Sequence, residues 1–217
     1  MKLKICGMRE PENIRAVAAL GPDYMGFIFY PLSPRYAGDL SPESVRALPR
    51  PIRRVGVFVN ETEQQVIRTA VHYLLDYAQL HGDETPEECR RLNRILPVIK
   101  AIAVRTEADL AETQRYEGCC TALLFDTRTE RFGGSGRRFD WNILNAYSGE
   151  TPFLLSGGIG PGDAERLQAV RHPQLAGVDV NSLFESKPGH KECGLLQPFI
   201  EQLKTNPYVH NPIRPRG

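Results

Sequence analysis

Cys6 and Asp126 are the residues of this sequence best suited to move protons. Asp126 ends a short apolar run, 122–125, of the kind that makes a buried parallel strand. It opens into a loop in which Gly133, Gly134 and Gly136 supply backbone freedom. Cys6 closes a stretch in which Lys2, Lys4 and Cys6 alternate with Leu3 and Ile5. At a period of two the apolar pair meets the next layer, so Lys4 and Cys6 face the opposite way. An inward lysine needs a counter-charge, and Asp179 in the run 177–180 is the candidate. A carboxyl that gives a proton and a thiolate that takes one would make a general acid–base pair. At ordinary pKa values, about 3.9 and 8.5, both groups are in the wrong protonation state at pH 7. We therefore expect burial to raise the aspartate and a nearby cation or backbone N–H groups to lower the thiol. Taken alone, a cysteine such as Cys6 is more often a small buried hydrophobe than a base; its place at a strand's C-terminal end, beside Gly7 and above an inward Lys4, shifts the balance toward chemistry.

Other polar residues sit at comparable places. Arg35 follows Pro31 and Pro34 in a stiffened segment, either as a planar fork for a carboxylate or as a surface arginine. Gln79 and His81 share one face of a strand end, to touch a ligand or to form a satisfied polar layer. Gly157 and Gly158 follow one late strand, and Asn181 and Ser182 follow the next. In a (βα)8 barrel the loops after strands seven and eight frequently hold a phosphate on backbone N–H groups.

Strand-like runs recur near Leu3, Tyr24, Arg54, Leu74, Val98, Thr121, Phe153 and Gly177. Their spacing of about 20 to 30 residues is that of one β/α unit with short loops. Eight such beats predict a single-domain (βα)8 TIM barrel of the α/β class over residues 1–204, with 205–217 as a C-terminal extension. A flavodoxin-like sheet would need only five or six. Helix punctuation lies between the beats. Pro11, Pro42, Thr85-Pro86, Thr106 and Asp140 mark helix starts, and Asn60 with Glu63 resembles a capping box. Gly21 and Gly118 mark stops, while Asp163 to Val170 and a stripe of Leu195, Leu196, Phe199, Ile200 and Leu203 give the last two helices.

At 217 residues the chain is long enough for one well-buried domain. Lys and Arg number 27 against 26 Asp and Glu, a balance that speaks against a nucleic-acid binder. Five cysteines without metal-type spacing suit a reducing cytosol, so a cytoplasmic protein without metal or disulfide framework is expected. No signal peptide is read ahead of the first strand, and no apolar run approaches a membrane span.

The sequence further contains KICGM at 4–8, GFIFYPLSPRY at 26–36, QLHGDE at 79–84 and LLFDT at 123–127. GGSG at 133–136, FDW at 139–141, LSGGI at 155–159 and GVDVNS at 177–182 follow in order. Together these segments resemble the phosphoribosylanthranilate isomerase family of tryptophan biosynthesis. The resemblance implies a cofactor-independent, metal-free Amadori rearrangement of the aminoaldose N-(5'-phosphoribosyl)anthranilate to the aminoketose 1-(2-carboxyphenylamino)-1-deoxyribulose 5-phosphate. By the same resemblance Asp126 is the general acid, Cys6 the general base and Arg35 the anthranilate-carboxylate ligand. The resemblance also puts phosphate on the loops of Gly157, Gly158, Asn181 and Ser182, while His81 is a substrate-binding candidate from its strand-end position. The implied partner is the small phosphoribosyl substrate, with no nucleic acid and no membrane, on a monomer or homodimer. One departure is Leu183-Phe184, where the family usually has Gly-Val. A related barrel, the histidine-pathway aminoaldose isomerase, pairs two aspartates, which Cys6 speaks against. A non-catalytic phosphosugar binder would keep the glycine loops without needing both Cys6 and Asp126.

Overall fold

A computed structural model describes residues 1–127 and 140–204. Eight parallel strands close into a barrel in sequence order: β1 (Lys2–Ile5), β2 (Tyr24–Ile28), β3 (Arg53–Phe58), β4 (Tyr77–Leu80), β5 (Val98–Val104), β6 (Ala122–Thr127), β7 (Phe153–Leu155) and β8 (Leu175–Val180). β8 pairs with β1, Lys4 opposite Asp179. The fold class expected from the eight beats is the one observed. The fourth beat starts at Tyr77 rather than Leu74, because Leu74 takes φ +53° to end the preceding helix.

The helices are α1 (Pro11–Ala19), α2 (Pro42–Arg46), α3 (Glu63–Tyr73), α4 (Pro86–Asn93), α5 (Glu107–Leu110), α6 (Ala164–Ala169) and α7 (Cys193–Lys204). A six-residue 3₁₀ segment, Trp141–Ala146, stands between β6 and β7, with Asp140 accepting from the Asn142 N–H. Thr85 and Glu88 form the reciprocal cap of α4. The cap expected at Asn60 is overturned: Thr62 caps α3, accepting from the Gln65 N–H at 3.2 Å. Asn60, at φ +51°, instead donates its N–H to Glu84. Val71 and Leu195, both expected in buried stripes, are exposed; Val66, Ala70 and Tyr73 face inward from α3, and Leu196, Phe199, Ile200 and Leu203 from α7. After β8 the chain adds a hairpin, β9 (Glu185–Lys187) and β10 (His190–Lys191), before α7.

Two apolar layers follow from strand alternation. One fills the barrel, with Tyr24, Val55, Tyr77, Ile99, Ala122, Leu124, Leu154 and Ala176. The other lies between strands and helices and includes Leu3, Ile5, Phe27, Leu123, Phe125, Phe153, Val178 and Val180. A bulge sets the faces of β8: Phe153 stands opposite Leu175 but Leu154 opposite Gly177, so Ala176 is the extra residue. A one-residue slip exchanges the two faces of a strand. Ala176 therefore points inward, and beyond it Asp179 rather than Val178 or Val180 faces the barrel. Among the described residues no helix is long and apolar enough to cross a membrane.

Candidate active site

The C-terminal ends of the strands form one mouth, and the inward alternation brings the polar residues there. On β1, Lys4 is fully buried and its Nζ donates to Asp179 Oδ1 at 2.9 Å. Ser156, just past β7, donates to the other oxygen of Asp179 at 3.3 Å. Burial alone would lower the lysine, but the Asp179 charge, with help from Cys6, outweighs it and lifts Lys4 to about 12. The counter-charge expected from the sequence is thus in place. Cys6, one step above Lys4, is 4 % exposed. Gly26 faces it from β2: a Cβ there would stand 2.7 Å from the Cys6 sulfur and 3.1 Å from Lys4 Nζ. Only a glycine leaves room for both groups at this point.

The expectation of a lowered thiol is overturned. Burial pushes Cys6 up, and Asp179 adds to this, against the opposing pull of Lys4 and the weaker pull of Lys191. The cations are present but do not outweigh desolvation.

Asp126 lies inward near the end of β6, partly open to solvent. Its Oδ1 accepts from the Thr127 N–H at 2.9 Å, and its Oδ2 is 3.3 Å from His81 Nε2. His81 Nδ1 is in turn 2.8 Å from the side-chain nitrogen of the buried Gln79. A cavity of about 670 Å³ adjoins this group, walled by Asp126, His81, Lys100 and Tyr116 among others.

Arg35 is buried and engaged within the protein: Nε donates to both oxygens of Glu185 at 3.0 Å, and one terminal nitrogen, Nη2, donates to Oε2 at 2.6 Å. Lys191, also buried, donates to the same carboxylate and to Asn181 Oδ1, the latter at 2.8 Å. Burial would raise Glu185, yet the bonds from Arg35 and Lys191 hold it below the ordinary carboxylate range. Glu185 and Lys191 did not emerge from the sequence. The signal available was the turn Pro188-Gly189 between them, Gly189 at φ +85°.

Gly157 and Gly158 follow β7 at φ +88° and +65°, conformations that side chains resist. A Cβ on Gly157 would meet Thr127 Oγ1 at 2.2 Å. Asn181 and Ser182 follow β8 at the start of a short 3₁₀ turn. Leu183 is exposed, near Gly160, and not among the positive-φ residues, so its departure from the family pattern carries no backbone strain. Cys6, Asn181 and Arg35 adjoin one another at Gly7, where a Cβ would lie 2.6 Å from Arg35 Cδ and 2.7 Å from Asn181 Oδ1. Gly133, Gly134 and Gly136 and the tail 205–217 lie outside the described residues.

Residues 3–202 match the family described as N-(5'phosphoribosyl)anthranilate (PRA) isomerase. This chain belongs to that family. An N-(5'-phosphoribosyl)anthranilate isomerase of Parabacteroides distasonis is 50 % identical over 206 residues, covering 94 % of this chain and 93 % of its own length. The phosphoribosyl anthranilate isomerase structure from Thermus thermophilus superposes with a TM-score of 0.82 at 30 % identity, covering 94 % and 99 % of the two chains. Another phosphoribosyl anthranilate isomerase, solved in complex with reduced 1-(o-carboxyphenylamino)-1-deoxyribulose 5-phosphate, gives a TM-score of 0.78 at 33 % identity over 94 % and 98 %. The chain is a phosphoribosylanthranilate isomerase of tryptophan biosynthesis, an enzyme interconverting an aldose and a ketose.

Proposed function

We propose that Asp126 and Cys6 are the acid and base of the phosphoribosylanthranilate rearrangement. Protonation of the ribose ring oxygen by Asp126 lets the anilino nitrogen push open the C1–O bond, giving an iminium at C1. The C2 proton is acidified by that iminium, and the Cys6 thiolate removes it. The resulting enolamine gains a proton at C1 as its C2 hydroxyl becomes a carbonyl, and the aminoketose results. The observation that carries this reading is the placement of Cys6 and Asp126 as inward-facing proton-transfer groups at the mouth of one barrel, just past β1 and on β6.

The raised thiol fits the chemistry. A thiolate that is hard to form is a stronger base, and the positive iminium at C1 adds to Lys4 in favouring it once substrate is bound. Arg35 is proposed to receive the anthranilate carboxylate through the edge that Glu185 leaves, and Lys191 shares the neutralisation of Glu185. The two late loops are proposed to hold phosphate, with Gly157, Gly158, Asn181 and Ser182 lining them. The enzyme is proposed to work in the cytoplasm.

Cys6→Ser and Asp126→Asn test the pair. Each should lose at least about a hundredfold in kcat while binding product with near-wild-type affinity. Turnover near the wild-type rate in either variant would remove that residue from its role.

A further inference from the structure

The amide of Gln79 is 1 % exposed, and its Oε1 is buried with no hydrogen-bond partner among the described residues. Its Nε2 faces His81 Nδ1 at 2.8 Å, and the far nitrogen of the same ring is 3.3 Å from Asp126 Oδ2. A buried glutamine usually fixes its neighbour by bonding at both ends of the amide. Here His81 is the partner of one end and the other end is orphaned, so among the described residues nothing else chooses which end faces the ring.

A neutral imidazole has one donor and one acceptor nitrogen, and the bond at one decides the role of the other. With the amide NH₂ toward Nδ1, Nδ1 accepts and Nε2–H points at Asp126. That suits an ionised Asp126. Rotating the amide by half a turn presents Oε1 to Nδ1–H, so Nε2 becomes an acceptor. That suits a protonated Asp126, whose O–H then donates to the ring. Each arrangement leaves one end of the amide orphaned, so the two are closely matched in cost.

We propose that Gln79 is a positioning residue whose amide turns over with the protonation state of Asp126, switching the tautomer of His81. The inference rests on Asp126 being the acid that gives up and regains a proton in each cycle. A fixed tautomer would aim the carboxyl correctly in only half of that cycle. His81 and Gln79 together follow the proton and hold the carboxyl in both halves. The other ionisable groups around the adjoining cavity are Asp83, Asp109, Glu112, Arg115, Tyr116 and Lys100, the last paired with Glu84 at 2.9 Å.

The test uses ¹⁵N-histidine-labelled full-length enzyme, with His81 assigned by comparison with His81→Asn. The wild-type ring should carry its proton on Nε2 while Asp126 is ionised and on Nδ1 once Asp126 is protonated. Gln79→Glu keeps the shape but offers only an acceptor, so His81 should take a second proton. Asp126 is then held ionised, and the ionisation it contributes to the pH profile of kcat/KM should move down. Gln79→Met removes both ends of the amide without adding charge. Both variants should lose roughly tenfold or more in kcat with KM within about threefold. A wild-type ring that keeps the same tautomer whether Asp126 is ionised or protonated would overturn the proposal. So would a Gln79→Glu enzyme whose profile and kcat superpose on the wild type. If Asp126→Asn instead kept full turnover, the acid assignment would fail while the tautomer of His81 could still be read, so the two failures are distinct.

Discussion

Replacing Lys4 by Met leaves the hydrocarbon stem in place and deletes one charge of a buried pair. The pair is 2.9 Å long, with the two side chains 0 % and 6 % exposed. Two lines of reasoning set the size of the effect. The lift of Lys4 from 10.5 to about 12 is about 1.5 pKa units, or about 2 kcal/mol of preference for the charged form in the folded state. Breaking a buried pair from one side typically costs about 3–5 kcal/mol, because the remaining charge has no solvent to turn to. Asp179 would keep only the Ser156 hydroxyl, so a loss of about 2–5 kcal/mol is expected. For a chain of 217 residues that is a fall in Tm of roughly 5–15 °C. Removing the opposing charge as well, in Lys4→Met/Asp179→Asn, should restore most of the stability, since no buried ion remains. Turnover should not return with it, because Lys4 is the main cationic influence opposing the rise of Cys6. Urea unfolding followed by circular dichroism, alongside loss of anthranilate-type fluorescence as substrate is consumed, measures both quantities. A double variant recovering stability and turnover together would show that Lys4 serves the fold and not the thiol. A Lys4→Met loss below about 1 kcal/mol would show that the pair is worth no more than a surface one.

Gly157→Ala should strain the backbone by about 1–3 kcal/mol and drive the β7 loop off Thr127, since its Cβ would also lie 2.7 Å from the Thr127 backbone nitrogen. Inorganic phosphate should raise the melting temperature of the wild type but not of this variant; equal rises would move phosphate elsewhere. Stability should also fall with alkali. Burial raises the thiols of Cys6, Cys89 and Cys120, Cys89 to about 12, so the folded chain keeps protons that the unfolded chain releases from about pH 8.5 upward. Their stabilisation is complete below that pH and declines as pH rises toward the folded values, by up to about 1.4 kcal/mol per pH unit for each thiol. Lys4 contributes in the same direction above 10.5. Urea midpoints independent of pH between about 7.5 and 10 would refute this sign.

Much of the architecture is local and hence legible. The eight beats follow from the repeat length of a β/α unit, and helix starts such as Pro11 and Thr85 act within one turn. Even the Lys4–Asp179 pair, 175 residues apart in sequence, could be anticipated once the barrel was assumed closed. Its geometry could not. Strict alternation from Ala176, which faces inward, would send Asp179 outward, and the bulge that reverses this belongs to the pairing of β7 with β8. Asn60 failed as a cap for a similar reason: its backbone is drawn to Glu84, a partner from the next β/α unit.

The thiol and the arginine show what else sequence leaves out. A cation two residues before Cys6 suggests a lowered pKa, but sign depends on how much water the fold removes, and at full burial desolvation wins over Lys4. Arg35 looked like a fork awaiting a substrate carboxylate, and the fold supplies Glu185 from a hairpin 150 residues away. An isolated buried guanidinium would be costly, so a standing partner is what allows it to be kept near the barrel mouth before substrate arrives. Arg35, Lys191 and Glu185 together retain one unit of positive charge. That balance supports the proposed role of Arg35 as the ligand of a substrate carboxylate, which could bind without first breaking a pair.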